Sequence, residues 1–304
     1  MAARSAVRLI ALCVATHALS AQAKPTKPAD VARVAVTTRD KQLAAAAQHD
    51  GLPHALNAAM SADAALLYPT APIIQGRTAA TIFLSGQPEL ASLQLTWSPM
   101  FVFVSDDGTL AVAAGTTAIT AGNDYRAGKY INVWRKTKTG YDLAAHVQIG
   151  LIKDPANNTT AVSRLTPLPG TARAAAFDAA DRAFAKFAGD SGAPAAFYEF
   201  AAPTAVTFGG AGAPNIGRGA IRDRMAANTT PTTWAWAPVL SDASLDGSLG
   251  ITIGEAKIVA TPGPQDVSTS LSKYLTVWRR MPDGSIKFLL DGGNSRPGEP
   301  QHLP

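Results

Sequence analysis

The sequence contains the same pattern twice, and this internal repeat constrains the fold more than any other feature. Trp97 and Pro99 recur as Trp236 and Pro238, and four of the chain's five tryptophans occupy matched positions. The other matches are Gly76-Arg77 with Gly217-Arg218, Asp107-Gly108 with Asp246-Gly247, Tyr130–Arg135 with Tyr274–Arg279, and Gly140 with Gly284. The repeat therefore predicts two copies of one domain.

Each copy shows the same order of elements. Apolar residues at helical spacing predict a first helix, followed by a second short helix, a short strand and a third helix near Arg77 or Arg218. Four long β segments follow, and Asp-Gly pairs mark hairpin turns between them. In the second copy we expect these segments at about 232–241, 248–260, 269–281 and 285–291.

This order predicts an α+β fold class, with three helices packed on a curved, mainly antiparallel sheet in each of two tandem domains. The first copy is expected at 29–153 and the second at 171–296. A segment rich in Asn, Thr and Pro, 154–170, is expected to be the linker, and 297–304 a tail.

Residues 1–23 have the composition of a signal peptide. Arg4 and Arg8 precede an apolar stretch at 9–19, and Ala21-Gln22-Ala23 forms a small-x-small cleavage site. The apolar stretch is shorter than the roughly 20 residues of a membrane-spanning helix. We therefore expect an exported chain, periplasmic or secreted.

Composition excludes several function classes. Cys13 is the only cysteine and lies within the predicted signal peptide, so the mature chain is expected to lack disulfides, thiolate metal sites and covalently attached haem. Basic residues are scattered and do not predict nucleic-acid binding. No later stretch predicts a membrane partner. His49 and His54 lie on either side of a helix break, and we expect no metal and no cofactor.

Two segments carry a family resemblance. Gly217-Arg218-Gly219-Ala220-Ile221-Arg222 resembles the helix start of the SnoaL-like and nuclear-transport-factor-2-like superfamily, which includes ketosteroid isomerase-like proteins. The segment from Tyr274 to Asp291 resembles its closing hairpin, with Ile286 in place of a usual tryptophan. The resemblance covers both copies and implies cone-shaped domains with an apolar cavity. Such folds serve as enzymes, binding modules and assembly domains alike.

Both faces of the predicted sheet carry apolar residues. Tyr274 and Trp278 are four residues apart and share one face, whereas Leu275 and Val277 lie on the other. The helices of the same copy can cover only one face. Relatives of the resembled family often dimerise through the other, and here the second copy is expected to be the partner, which gives an internal pseudo-dimer.

The last strand of each copy carries the candidate catalytic residue. His146 matches Asp291 when one extra residue is allowed after Gly284. The resemblance implies that a His or Asp on this strand faces the cavity, where it would act as a general acid or base. Tyr274 or Tyr198 would donate hydrogen bonds beside Asp291.

His146 would act beside Tyr68 and Trp97 in the first copy. Structural alternatives exist for both candidates: a hydrogen-bonded core histidine for His146, and a turn at a strand end, Asp291-Gly292-Gly293-Asn294, for the aspartate. Because the two copies differ at this position, at most one active pocket is expected.

Aromatic residues are the candidate ligand-binding set, although the tryptophans equally suit a core. The set comprises Trp97, Tyr130, Trp134, Tyr198, Trp236, Tyr274 and Trp278. We therefore predict an exported protein that binds a small apolar or aromatic ligand in a cone cavity. The alternatives are an acid–base enzyme of isomerase, cyclase or dehydratase type, and a periplasmic accessory or assembly protein.

Overall fold

The computed structural model describes residues 27–69, 71–87, 90, 94–121, 124–150, 165–209, 212–263 and 266–298. The predicted signal peptide lies outside the described residues, as do the predicted linker up to residue 164 and the predicted tail from residue 299. The described chain forms two units with the same order of elements.

The first unit has three helices and a six-stranded sheet. Its elements are α1 (Pro28–Asp50), α2 (Leu52–Ala59), β1 (Met60–Leu67), β2 (Ile74–Gln75), α3 (Arg77–Ser85), β3 (Gln94–Val104), β4 (Leu110–Ala121), β5 (Asp124–Lys136) and β6 (Tyr141–Ile149). The strand order is β2-β1-β6-β5-β4-β3, and every pair is antiparallel except β1 with β6.

The second unit repeats this arrangement. Its elements are α4 (Ala175–Ser191), α5 (Ala193–Phe200), β7 (Ala201–Phe208), β8 (Asn215–Ile216), α6 (Arg218–Ala226), β9 (Thr232–Ala243), β10 (Leu249–Gly263), β11 (Asp266–Arg280) and β12 (Ile286–Ser295). The strand order is β8-β7-β12-β11-β10-β9, with β7 and β12 parallel. The predicted α+β fold class, two tandem domains each with three helices on a mainly antiparallel sheet, is confirmed.

A glycine separates the first two helices of each unit. Gly51 and Gly192 both have φ of 85°, a backbone conformation that favours glycine. A proline follows two residues later, Pro53 or Pro194, in the first turn of the next helix, where its missing N–H costs no hydrogen bond. The same local chemistry therefore breaks the helix at the same point twice.

The last strand continues beyond the end that the sequence predicts. β12 runs to Ser295, so the interpretation of residues 291–294 as a turn is wrong, and Asp291 lies within the strand. Positions 292 and 293 of this strand are glycines because neighbouring atoms come too close to the backbone there to leave room for a side chain. A Cβ on Gly293 would lie 2.2 Å from the carbonyl oxygen of Lys273, and one on Gly292 would lie 2.9 Å from Cβ of Phe208.

Three apolar cores stabilise the described part of the chain. Each unit has one core between its helices and the inner face of its sheet. The third core lies between the outer faces of the two sheets and contains residues of both units, among them Ile131, Val133, Ile251, Leu275 and Val277. Each sheet is therefore covered on one face by its own helices and on the other by the second sheet.

Polar contacts also join the units. The backbone N–H of Asp107 donates to Oδ2 of Asp246 at 2.9 Å, and that of Asp246 donates to Oδ2 of Asp107 at 3.0 Å. Nδ2 of Asn294 donates to the carbonyl oxygens of Leu67 at 2.8 Å and Gln148 at 2.6 Å. The matched hairpins of the repeat thus bind each other reciprocally.

None of the helices described is both long and apolar enough to cross a membrane.

Candidate functional site

The second unit contains a cavity of about 720 Å³ between its helices and the inner face of its sheet. Asp291, Thr207 and Thr276 supply polar groups to its wall, whereas Arg224 and Asn228 are exposed and lie at its opening. Its aromatic lining consists of Phe184, Phe197, Trp234, Trp236 and Tyr274. A concave wall that combines aromatic side chains with polar groups is typical of small-molecule sites of this size.

The strand registers place Asp291 and His146 at the same point of the two units. Asp291 pairs with Thr276 on β11 and with Thr207 on β7. His146 pairs with Asn132 on β5 and with Leu66 on β1, the corresponding positions of the first unit. The match that the sequence predicts between these two residues is therefore confirmed.

Asp291 faces the cavity from the middle of β12. Oγ1 of Thr276 donates a hydrogen bond to its Oδ2 at 2.7 Å. Burial raises the pKa of Asp291 to about 6, and the bond from Thr276 opposes this shift. Near neutral pH this carboxyl can therefore either accept or donate a proton.

A second carboxyl, Asp181 on α4, lies behind the cavity wall. The phenol of Tyr274 donates to its Oδ2 at 3.1 Å, and Nε1 of Trp236 donates to its Oδ1 at 2.9 Å. Burial raises the pKa of Asp181 to about 7, against the lowering effect of these hydrogen bonds. The same burial, together with the nearby Asp181 carboxylate, raises the pKa of Tyr274 well above its usual value.

Sequence reasoning did not identify Asp181, although a signal was present. Asp181 lies on the buried face of α4 with Phe177, Phe184 and Ala188, where a carboxylate needs hydrogen-bond donors. Asp40 occupies the corresponding point of α1. A charged residue at one buried position in both copies of a repeat indicates a shared structural role.

Asp40 fills that role in the first unit. It accepts hydrogen bonds from the phenol of Tyr130 at 2.6 Å, Nδ2 of Asn132 at 2.8 Å and Nε1 of Trp134 at 3.2 Å. Burial raises the pKa of Asp40 as it does that of Asp181. The helix carboxyl and the aromatic side chains that donate hydrogen bonds to it are therefore part of the buried structure of both units.

His146 is buried in the core of the first unit. Its Nδ1 lies 2.6 Å from Oδ1 of Asn132, and its ring centroid lies 6.5 Å from that of Trp97. Among the described residues Nε2 has no hydrogen-bond partner. Burial lowers the pKa of His146 to about 4, so the imidazole is neutral at physiological pH. This environment resembles that of a core histidine.

In the first unit two aromatic side chains stand at positions that correspond to two residues of the cavity lining. Tyr68 follows β1 as Gly209 follows β7, and Phe83 is the seventh residue of α3 as Arg224 is of α6. The Tyr68 and Phe83 rings meet edge to face at 5.5 Å, and both are buried. In the second unit the glycine and the arginine at these two positions line the cavity.

The remaining predicted site residues lie apart from the cavity. Tyr198 lies beneath the guanidinium groups of Arg218 and Arg222, at 4.7 and 4.9 Å from its ring centroid. Trp278 is fully buried and donates from Nε1 to Oγ1 of Thr252 at 2.8 Å. In the first unit, the rings of Trp97 and Tyr130 are both buried and their centroids lie 5.6 Å apart. The cavity thus brings together Asp291, Tyr274 and Trp236 of the predicted set.

Metal ligands do not cluster in the described part of the chain. No group of three or more His, Cys, Asp or Glu side chains in those residues could hold a metal ion.

Comparisons with known proteins find similarity in structure alone. No protein-family model matches the sequence, and no curated protein matches it. A ketosteroid isomerase-like protein from Erwinia carotovora atroseptica is 12% identical with a TM-score of 0.34, over 38% of this chain and 91% of that protein.

Two further solved structures are similar to the same extent. An NTF2-like protein with a cystatin-like fold from Novosphingobium aromaticivorans is 14% identical (TM-score 0.34), over 40% of this chain and 81% of its own. A nuclear transport factor 2-like superfamily protein from Salmonella enterica serovar Typhimurium is 9% identical (TM-score 0.36), over 43% of this chain and 96% of its own.

Proposed function

We propose that this protein is exported and binds a small apolar or aromatic molecule in the cavity of its second unit. The observation that carries the proposal is the contrast between the units. The second unit has an aromatic-lined cavity of about 720 Å³, and Gly209 and Arg224 line it at the positions where the first unit has the buried rings of Tyr68 and Phe83. These two exchanges, in a repeat that otherwise keeps its helices and strands, support a ligand site in the second unit.

Export is supported by the signal-peptide composition of residues 1–23. Expression of the full chain in a Gram-negative host, followed by fractionation and mass spectrometry, tests it. We expect a periplasmic product that begins at Lys24. A product that keeps Met1 and stays in the cytoplasm would contradict export.

Ligand binding is tested by thermal-shift screening of the mature protein against aromatic acids, steroids and polyketide-like phenols. Binding only to the folded state raises the melting temperature. The matched control is the double variant Gly209→Tyr/Arg224→Phe, which introduces the side chains of the first unit at the corresponding positions. Because no atom outside its chain neighbours lies within 4 Å of a Cβ built on Gly209, the added ring has room to enter the cavity.

We expect shifts in the wild type that the double variant loses while keeping its own cooperative melt. Melting-temperature shifts of equal size in the wild type and the double variant would show that the compounds bind outside this cavity. If no compound of the panel shifts the wild type, the proposal fails.

Acid–base catalysis of isomerase, cyclase or dehydratase type is the second candidate, favoured by the position and raised pKa of Asp291. Its test is deuterium incorporation at carbon next to a carbonyl of a bound ketone, followed by NMR in D2O. Asp291→Asn should abolish incorporation and leave binding intact, whereas His146→Ala should leave both intact. Incorporation that survives in Asp291→Asn would exclude this role.

A further inference from the structure

The inner face of α6 carries a charge at the opening of the cavity. Four residues at helical spacing, Ile221, Arg224, Met225 and Asn228, line the cavity from this segment. The corresponding residues of the first unit are Ala80, Phe83, Leu84 and Gln87, all of them buried. Arg224 is therefore a cation on a helix face that otherwise carries apolar or neutral residues.

Arg224 differs in its contacts from the other two arginines of α6. Arg218 and Arg222 both stack on Tyr198, and Arg222 also pairs with Asp223 at 2.8 Å. Within the described residues, Arg224 makes neither an ion pair nor a hydrogen bond through its side chain, and it is exposed. Its guanidinium group is thus free to bind an anion that enters the cavity.

The other charged groups of the lining are already engaged by the protein. Nζ of Lys273 donates to the carbonyl oxygens of Tyr68 and Ser295, both at 2.8 Å. Asp291 lies on the wall and accepts from Thr276. A ligand therefore meets a cation at the opening and a carboxyl inside, and an anionic group is favoured only at the opening.

We infer that the ligand is an amphipathic organic acid: its carboxylate pairs with Arg224, its ring system packs against the lining formed by Trp234 and Trp236, and a hydroxyl or carbonyl group faces Asp291. This inference rests on the proposed binding function and names its ligand class. Arginine suits the role because its planar guanidinium group binds a carboxylate through two parallel hydrogen bonds. A neutral polar group beside Asp291 avoids the repulsion that a second anion would meet there.

The test compares each acid of a panel with its own primary amide, which keeps the shape and removes the charge. The probes are 6-hydroxy-2-naphthoic acid, a steroid carboxylic acid and an aryl-alkanoic acid, measured by tryptophan fluorescence and calorimetry at pH 8. The variants are Arg224→Met and its matched control Arg222→Met, which removes the same charge from the same helix outside the cavity lining.

In the wild type we expect the acid of a binding pair to bind about tenfold more tightly than its amide, a typical effect of one charge-assisted pair. Arg224→Met should reduce this preference to about one and leave the affinity for the amide unchanged, whereas Arg222→Met should keep the preference. Amides that bind as tightly as acids would overturn the inference and leave the proposed binding function standing. If neither the acid nor the amide of any pair binds, both the inference and the proposed binding function are overturned.

Discussion

Asp40 and Asp181 occupy equivalent positions in the two units and have the same structural role. Each lies on the buried face of the first helix of its unit and accepts hydrogen bonds from aromatic side chains of the sheet. Such a carboxyl connects helix to sheet, and its position in a low-dielectric core favours the protonated form. Asp291 has a different neighbourhood, because it lies on the wall of a cavity and the first unit has a histidine there.

The raised pKa of Asp181 predicts a pH-dependent stability. The folded protein keeps this proton up to about pH 7, whereas the unfolded chain releases it near the ordinary value of 3.8. The folded state thus binds more protons in between, and its free energy of unfolding falls as pH rises from about 4 to 7. Asp181→Asn should remove this fall, on the order of 2 to 4 kcal/mol.

Urea unfolding at a series of pH values measures this effect as the difference between wild type and variant. The difference also removes the opposite contribution of His146, whose low pKa makes stability rise with pH between about 4 and 6.5. Asp190→Asn on the exposed side of α4 is the matched control and should leave the slope unchanged. Parallel curves for wild type and Asp181→Asn would contradict the assignment.

The sequence predicted some of these residues and not others for physical reasons. Asp291, Tyr274 and Trp236 could be found because they stand at matched positions with chemistry or bulk of their own. Arg224 and Gly209 could not, because their importance lies in what they replace, Phe83 and Tyr68, and in a space that only packing defines. Tyr198 has the chemistry of a cavity residue, but its ring stacks with two arginines instead.

At the scale of an element, strand β12 shows the same limit of what the sequence can predict. The internal repeat and the Asp-Gly hairpins predicted where the long strands lie. The end of β12 was placed too early because Gly292-Gly293 has the composition of a turn. In the structure these glycines admit a close approach of neighbouring atoms, which a single strand's sequence cannot reveal.

Gly292 is therefore predicted to be a contact point between the two sheets. A Cβ there would lie 2.9 Å from Cβ of Phe208 and 3.1 Å from Cδ1 of both Ile131 and Ile149, the last two in the first unit. Gly292→Val, which introduces the residue that the first unit has at this position, Val147, should destabilise the protein by about 1 to 3 kcal/mol through overpacking.

Urea unfolding of this variant beside Gly209→Ala provides the measurement. A Cβ on Gly209 meets open space, so the control loses a glycine without a clash and should stay close to wild type in stability. An unfolding midpoint of Gly292→Val equal to that of the wild type would show that the sheets separate easily at this point.

At the scale of the whole molecule, the core between the sheets makes each unit the cover of the other. Most of its residues come from β1, β4, β5 and β6 of the first unit and from β7, β9, β10, β11 and β12 of the second. Neither unit could bury this face alone, and exposing it would leave a large apolar surface in water. The first unit thereby supports the sheet whose opposite face forms part of the cavity wall in the second unit.

This shared core predicts that the two units unfold together. Ile251 is fully buried between the sheets, and Ile251→Ala should cost about 2 to 4 kcal/mol by leaving a cavity there. Native-state hydrogen exchange should then show the same loss of protection in β5 of the first unit as in β11 of the second. Reciprocally, Leu43→Ala in the helix-side core of the first unit should lower protection in β11. If each variant reduces protection only in its own unit, the sheets associate without folding as one, and ligand binding in the second unit would then stabilise that unit alone.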